Sequence, residues 1–113
     1  MVKRRNLMKG GTDSLLLYLI SQQPMYGYQV INELERRSQG YFKFKEGTLY
    51  PVLHRLEREG LILGKWQVLP SGRQRKYYYI TAKGSHALVE KRGQWQDFLV
   101  AMNLIIQPKV LER

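Results

Sequence analysis

A chain of 113 residues suits one domain, and 43% hydrophobic residues are enough to give that domain a core. With 19 Lys and Arg against 9 Asp and Glu, the formal net charge is +10, which points to nucleic acid, an anionic membrane surface or an acidic protein as partner. Cysteine is absent, which excludes disulfides, thiolate metal sites and thiol catalysis.

Residues 1–11 carry Lys3, Arg4, Arg5 and Lys9 without an acid and end in Gly10-Gly11. They are expected to form a basic, flexible arm, helical in part. Thr12 or Asp13 is placed to cap a first helix that runs to about Gln23 and stops at Pro24. Its apolar run, Leu15 to Ile20, is far too short to span a bilayer or to serve as the core of a signal peptide. The expectation is a cytoplasmic protein with no membrane partner.

A second helix is expected from about Tyr26 to Ser38, with Val30, Ile31 and Leu34 turned inward and Gly40 ending it. The third helix has the clearest pattern. Leu49, Val52, Leu53 and Leu56 stand at i, i+3, i+4 and i+7, one apolar stripe. Pro51 must occupy the first turn, so the helix starts near Glu46 to Thr48. Gly60 is its stop. Leu61–Leu69 and Gln74–Ile80 are rich in strand formers and flank Pro70-Ser71-Gly72, which predicts a hairpin. Thr81 caps a last helix from Ala82 to about Gln107, before Pro108. The fold expected is mainly α with a small β-hairpin. Residues 12–81 form a winged helix-turn-helix domain, and residues 82–113 a dimerisation helix with its tail.

The third helix has a second face. Opposite the leucines stand Pro51, His54 and Arg58, with Arg55 beside them; Gly47, Thr48 and Tyr50 form the N-terminal end. Small and hydroxyl-bearing residues there can approach phosphates and base edges. An ordinary solvated face is the competing interpretation. The hairpin favours the first. Residues 60–89 hold no Asp or Glu, yet include Lys65, Arg73, Arg75, Lys76 and Lys83. Surface cations normally alternate with acids, so phosphate is the expected counter-charge.

On the last helix Leu88, Trp95 and Met102 are seven apart, as are Phe98 and Ile105, while Leu99 and Ile106 widen the stripe. A helix about 39 Å long exceeds what so small a domain can cover, so a homodimer interface is expected on these seven residues. Folding back onto its own domain is the alternative. Trp95 is either interface packing or one wall of a ligand pocket, with Gly93 leaving room beside it. His54 and His86 lack a carboxylate cluster, and neither a catalytic dyad nor a phosphate loop is evident. No enzyme activity, metal or cofactor is expected. A winged-helix module that binds RNA or an acidic protein through the same basic face is the runner-up to a DNA-binding regulator.

Several strings together resemble the PadR family of winged-helix transcriptional regulators. They are Pro24-Met25-Tyr26-Gly27-Tyr28, the stretch from Gly47-Thr48-Leu49-Tyr50-Pro51 through Arg55-Leu56-Glu57 to Gly60-Leu61-Ile62, and Gly72-Arg73-Gln74-Arg75-Lys76-Tyr77-Tyr78 with Ile80-Thr81. The resemblance spans about Thr12 to Ile106 and fits the short subclass with a single C-terminal helix. It implies a homodimeric repressor on a pseudo-palindromic double-stranded DNA operator. The third helix would read the major groove and the wing would touch phosphates. It adds Tyr26 and Tyr28 to the DNA-binding candidates. It also implies a planar aromatic effector, because Trp95 matches a drug-stacking tryptophan of one family member. Lys45 and Gln74 depart from the family pattern at the third helix's cap and in the wing.

Overall fold

The computed structural model describes residues 4–107, and their side chains from Gly10 onward. The cationic side chains expected in the arm and the tail beyond Gln107 lie outside those limits. The first helix, α1, spans Arg4–Gln22, so the expected arm is helical from Arg4 onward and continuous with the first helix. Thr12 and Asp13 are therefore interior helix residues, not caps. Leu16, Leu17 and Ile20 of α1 are buried, and with Leu19 they form the centre of the core.

A short strand that the sequence pattern did not reveal follows, β1 at Met25–Tyr26. It leads directly into α2, Gly27–Arg37, whose Val30, Ile31 and Leu34 are buried as expected. Helix α3 spans Glu46–Arg58 and turns Leu49, Leu53 and Leu56 into the core. Lys45 stands at its N-cap without a side-chain cap bond. Gly60 adopts φ 79°, the left-handed conformation that ends the helix.

The hairpin comprises β2, Ile62–Val68, and β3, Gln74–Ile80. Leu69 and Arg73 close its tip through an N–H to carbonyl bond of 2.7 Å. Strand β1 pairs antiparallel with β3, giving a three-stranded sheet of order β1-β3-β2. The central strand buries Tyr78 against the helices. Thr81 then caps α4, Ala82–Ile106. Its Oγ1 accepts from the Gly84 N–H at 3.0 Å and donates to the Gly60 carbonyl at 2.6 Å, so one hydroxyl ties the end of α3 to the start of α4. The fold is a winged helix with a long C-terminal helix. No described helix is long and apolar enough to cross a membrane.

The first half of α4 lies back along α1. Leu88 is buried in the domain's own core, which corrects its assignment to a dimer interface. Trp95 is half-buried on the same surface. Its ring rests over α1 at Gly10-Gly11, where a Cβ on Gly11 would stand 2.8 Å from Trp95 Cζ2. The two glycines thus form a seat for the indole within α1. Around Gly93 the space is open, so that glycine does not shape the environment of Trp95.

One ion pair joins α1 to α3 inside the domain. Arg55 Nη2 donates to Asp13 Oδ1 at 2.6 Å, across 42 residues of sequence, and Asp13 is buried. Removing the carboxylate leaves a guanidinium that Glu59 approaches only at 3.5 Å. An unsatisfied buried polar group costs about 1–3 kcal/mol. Asp13→Ala is therefore expected to lower stability by about that amount, read as the urea midpoint by circular dichroism. An unchanged midpoint would show that the pair adds nothing to the fold.

Candidate nucleic-acid interface

Burial of Leu49, Leu53 and Leu56 fixes the rotation of α3 about its axis. The residues on the far side are thereby exposed: Gly47, Thr48, Pro51, His54 and Arg58 all face solvent. They form a continuous front with a hydroxyl, an imidazole and a guanidinium. The residues 24–28 flank its N-terminal end. Gly27 packs directly beneath the Tyr50 ring, so closely that a Cβ there would overlap it. Only glycine lets α2 approach α3 this way. Tyr28, the next residue, is exposed. Tyr50 in turn stacks near His54, with ring centroids 6.4 Å apart. Burial and the nearby Glu46 carboxylate raise the Tyr50 hydroxyl above its ordinary value, so it remains a donor at neutral pH.

The structure divides the basic candidates into two groups. Arg58 on α3 and Arg73 at the wing tip are exposed. Arg55, Arg75 and Lys76 are half-buried and engaged by their own chain. Arg55 is turned toward Asp13, away from the front of α3. Arg75 lies over the Tyr26 ring, 3.9 Å from its centroid, and Tyr26 meets Tyr77 edge-on at 5.4 Å. Tyr26 thus shelves a wing arginine.

Lys76 Nζ donates to Glu57 Oε1 at 2.8 Å, and the Gly64 N–H donates to the other oxygen, Oε2, at 3.1 Å. One carboxylate on α3 therefore grips both strands of the wing. The Lys76 hydrogen bond holds the Glu57 carboxyl below its usual range, helped by the Gly64 N–H and opposed by desolvation. Sequence reasoning missed Glu57 because it treated the wing cations as all facing outward. A signal was present: Glu57 is the last acid but one before the acid-free stretch. The pairs Asp13–Arg55 and Gly27–Tyr50 join distant positions and left no local pattern.

A concavity lies beside α1. About 680 Å³ opens between α1, α4 and the loop before α3, lined by Leu15, Tyr18, Tyr41, Phe42, Phe44, Trp95 and Leu99 among others. Arg92 stands at this groove with its guanidinium 5.1 Å from the Tyr18 ring.

An exposed polar helix front, a leucine-rich back and a basic hairpin locked beside it define a winged helix-turn-helix regulator. Residues 16–90 match the transcriptional regulator PadR-like family, and the chain belongs to that family. Regulators of this family bind DNA to control transcription. The chain is 36% identical over 82 residues to transcriptional regulator Rv3488 of Mycobacterium tuberculosis, covering 73% of each chain. It resembles the crystal structure of the PadR-like transcriptional regulator BC4206 from Bacillus cereus, with TM-score 0.79 and 34% identity over 91% of this chain and 98% of that one. A PadR family regulator from Eggerthella lenta matches with TM-score 0.74 and 29% identity, over 90% of this chain and 88% of the other.

Because the folded pKa of Glu57 is depressed, its pairing with Lys76 stabilises the wing above the ordinary carboxylate range and is lost as pH falls below it. Glu57→Gln should mimic the low-pH state at neutral pH. Releasing Lys76 should strengthen binding to random duplex and steepen the salt dependence by about one phosphate, roughly 0.9 in log–log slope. Fluorescence anisotropy over a salt series measures both, and a slope equal to wild type would mean Lys76 stays held without Glu57.

Proposed function

We propose that the protein is a homodimeric, sequence-specific transcriptional repressor. In this reading α3 enters the major groove of a pseudo-palindromic operator, and a planar aromatic effector releases it. A cytoplasmic location goes with that role. The observation that carries the DNA-reading part is the exposed front of α3 beside a wing whose sequence neighbourhood lacks acids. Recognition helices address base edges through their N-terminal residues. Gly47, Thr48, Pro51 and His54 therefore meet bases, while Tyr28, Tyr50 and Arg58 hold flanking phosphates. Arg73 and Arg75 take phosphates from the wing. Tyr26, Arg55 and Lys76 act by holding those groups in position.

Selection of bound sequences from a random duplex pool tests this reading. It should return a two-fold symmetric motif whose half-sites lie about one helical turn apart. Thr48→Ala and His54→Ala should then cost about 1–3 kcal/mol on the selected site and far less on random DNA. Equal losses on both would remove α3 from base reading.

Dimerisation is supported by the far half of α4. Leu99, Met102, Ile105 and Ile106 are 52%, 39%, 83% and 64% exposed, an apolar stripe their own domain leaves uncovered. Trp95 and Phe98, half-buried with centroids 5.3 Å apart, border that stripe. A second copy covers it, and one molecule per half-site is the economical match to a palindrome. The aromatic groove beside Trp95 supports the effector, since its rings offer stacking walls and partner packing there would link occupancy to the spacing of the two reading helices. Sedimentation at micromolar concentration should show a dimer, and Leu99→Asp with Ile106→Asp a monomer. In a Trp66→Phe dimer, planar dyes should quench Trp95 emission and weaken DNA binding. A monomeric wild type refutes the first claim. Dyes that quench nothing refute the second.

A further inference from the structure

Strand register assigns the side chains of the wing to two faces. Residues directly opposite in an antiparallel pair share a face. Ile62, Gly64, Trp66 and Val68 stand opposite Ile80, Tyr78, Lys76 and Gln74. At its base this face is the inner face of the sheet, with Ile62 and Tyr78 buried. Beyond Gly64 the hairpin continues past the helices, and the same face emerges into solvent. Trp66 is 65% exposed and Val68 71% exposed. Two large apolar side chains thus overhang where the core has ended.

The overhang borders the front of α3. Glu57 reaches this face at Gly64 and at Lys76, and Lys76 is the cross-strand neighbour of Trp66. His54 lies one helical turn before Glu57, and Arg58 follows it. A body lying along α3 therefore also meets the underside of the wing. The charge around the overhang identifies that body. Every charged residue from 60 to 89 is a cation, and Glu57 is already neutralised by Lys76. An acidic protein would have to bring separate carboxylates and apolar side chains into register with the cations and with the indole and isopropyl groups beside them. The backbone of duplex DNA offers both: phosphates spaced along apolar deoxyribose faces, with base edges in the groove between.

We propose that Trp66, assisted by Val68, is a DNA contact of this protein. Its ring lies against the deoxyribose and groove edge of the duplex flanking the site that α3 reads, and its indole N–H donates to an oxygen acceptor there. Arg73 and Arg75 provide the salt-dependent attraction of the wing, and Trp66 provides a salt-independent part. The proposal rests on the DNA-binding reading above.

The protein has two tryptophans, so Trp95→Phe leaves Trp66 as the sole indole emitter. In that background a random-sequence duplex at low salt should quench or shift Trp66 emission with the same midpoint as anisotropy of the labelled DNA. Trp66→Ala, in the otherwise wild-type chain, should weaken binding about tenfold while the salt slope stays unchanged, and Trp66→Phe should restore most of the loss. A changed slope would mean that Trp66 merely positions the cations, which overturns the proposal. So would unaltered Trp66 emission at saturating duplex, or wild-type affinity in Trp66→Ala. Failure to bind any duplex would instead remove the underlying DNA-binding reading.

Discussion

Leu49, Leu53 and Leu56 are spaced along one side of α3, and none of them touches water. Fully burying a leucine is worth about 1.5–3 kcal/mol, so turning this helix about its axis is prohibitively unfavourable. The opposite side has no freedom to face anywhere but outward. Every functional property argued for α3 follows from that rotation. Asp13 reinforces it by taking Arg55 inward, and Gly27 reinforces it by letting α2 press on Tyr50.

The same economy governs the wing. A basic hairpin with freely moving cations would bind polyanions without orientation. Here Glu57 clamps Lys76 and the Gly64 N–H, while Tyr26 supports Arg75. Ordering entropy lost in folding need not be lost again on binding. The clamp also fixes the angle between α3 and the sheet, so the two can act as one surface. Helix α1 carries both the Gly10-Gly11 seat of Trp95 and, two residues on, the Asp13 partner of Arg55. The aromatic groove and α3 thus share one turn of α1.

Much of this was legible in the sequence where a local rule applied. The spacing of Leu49, Leu53 and Leu56 marked α3, Pro51 marked its first turn, and Thr81 marked the start of α4. The strings shared with the PadR family pointed to the winged helix. Legibility failed where the cause was distant. Strand β1 has two residues and exists only because Tyr78 and Tyr77 offer it partners. Gly10-Gly11 reads locally as the end of a flexible arm, yet the Trp95 indole occupies space that a side chain would fill. Leu88 fits the heptad that runs into the exposed stripe, but it lies where α4 still packs against α1. For Arg55, Arg75 and Lys76, sequence showed the charge and not the partner, because Asp13, Tyr26 and Glu57 are brought to them by the fold.

Amide hydrogen exchange, compared between free protein and protein saturated with a selected duplex, tests the central claim most directly. The account predicts new protection at residues 46–51 and 65–76, with the outer face of α2 around Asn32 to Arg36 unchanged. Protection on α2, with the start of α3 and the wing unaffected, would contradict it.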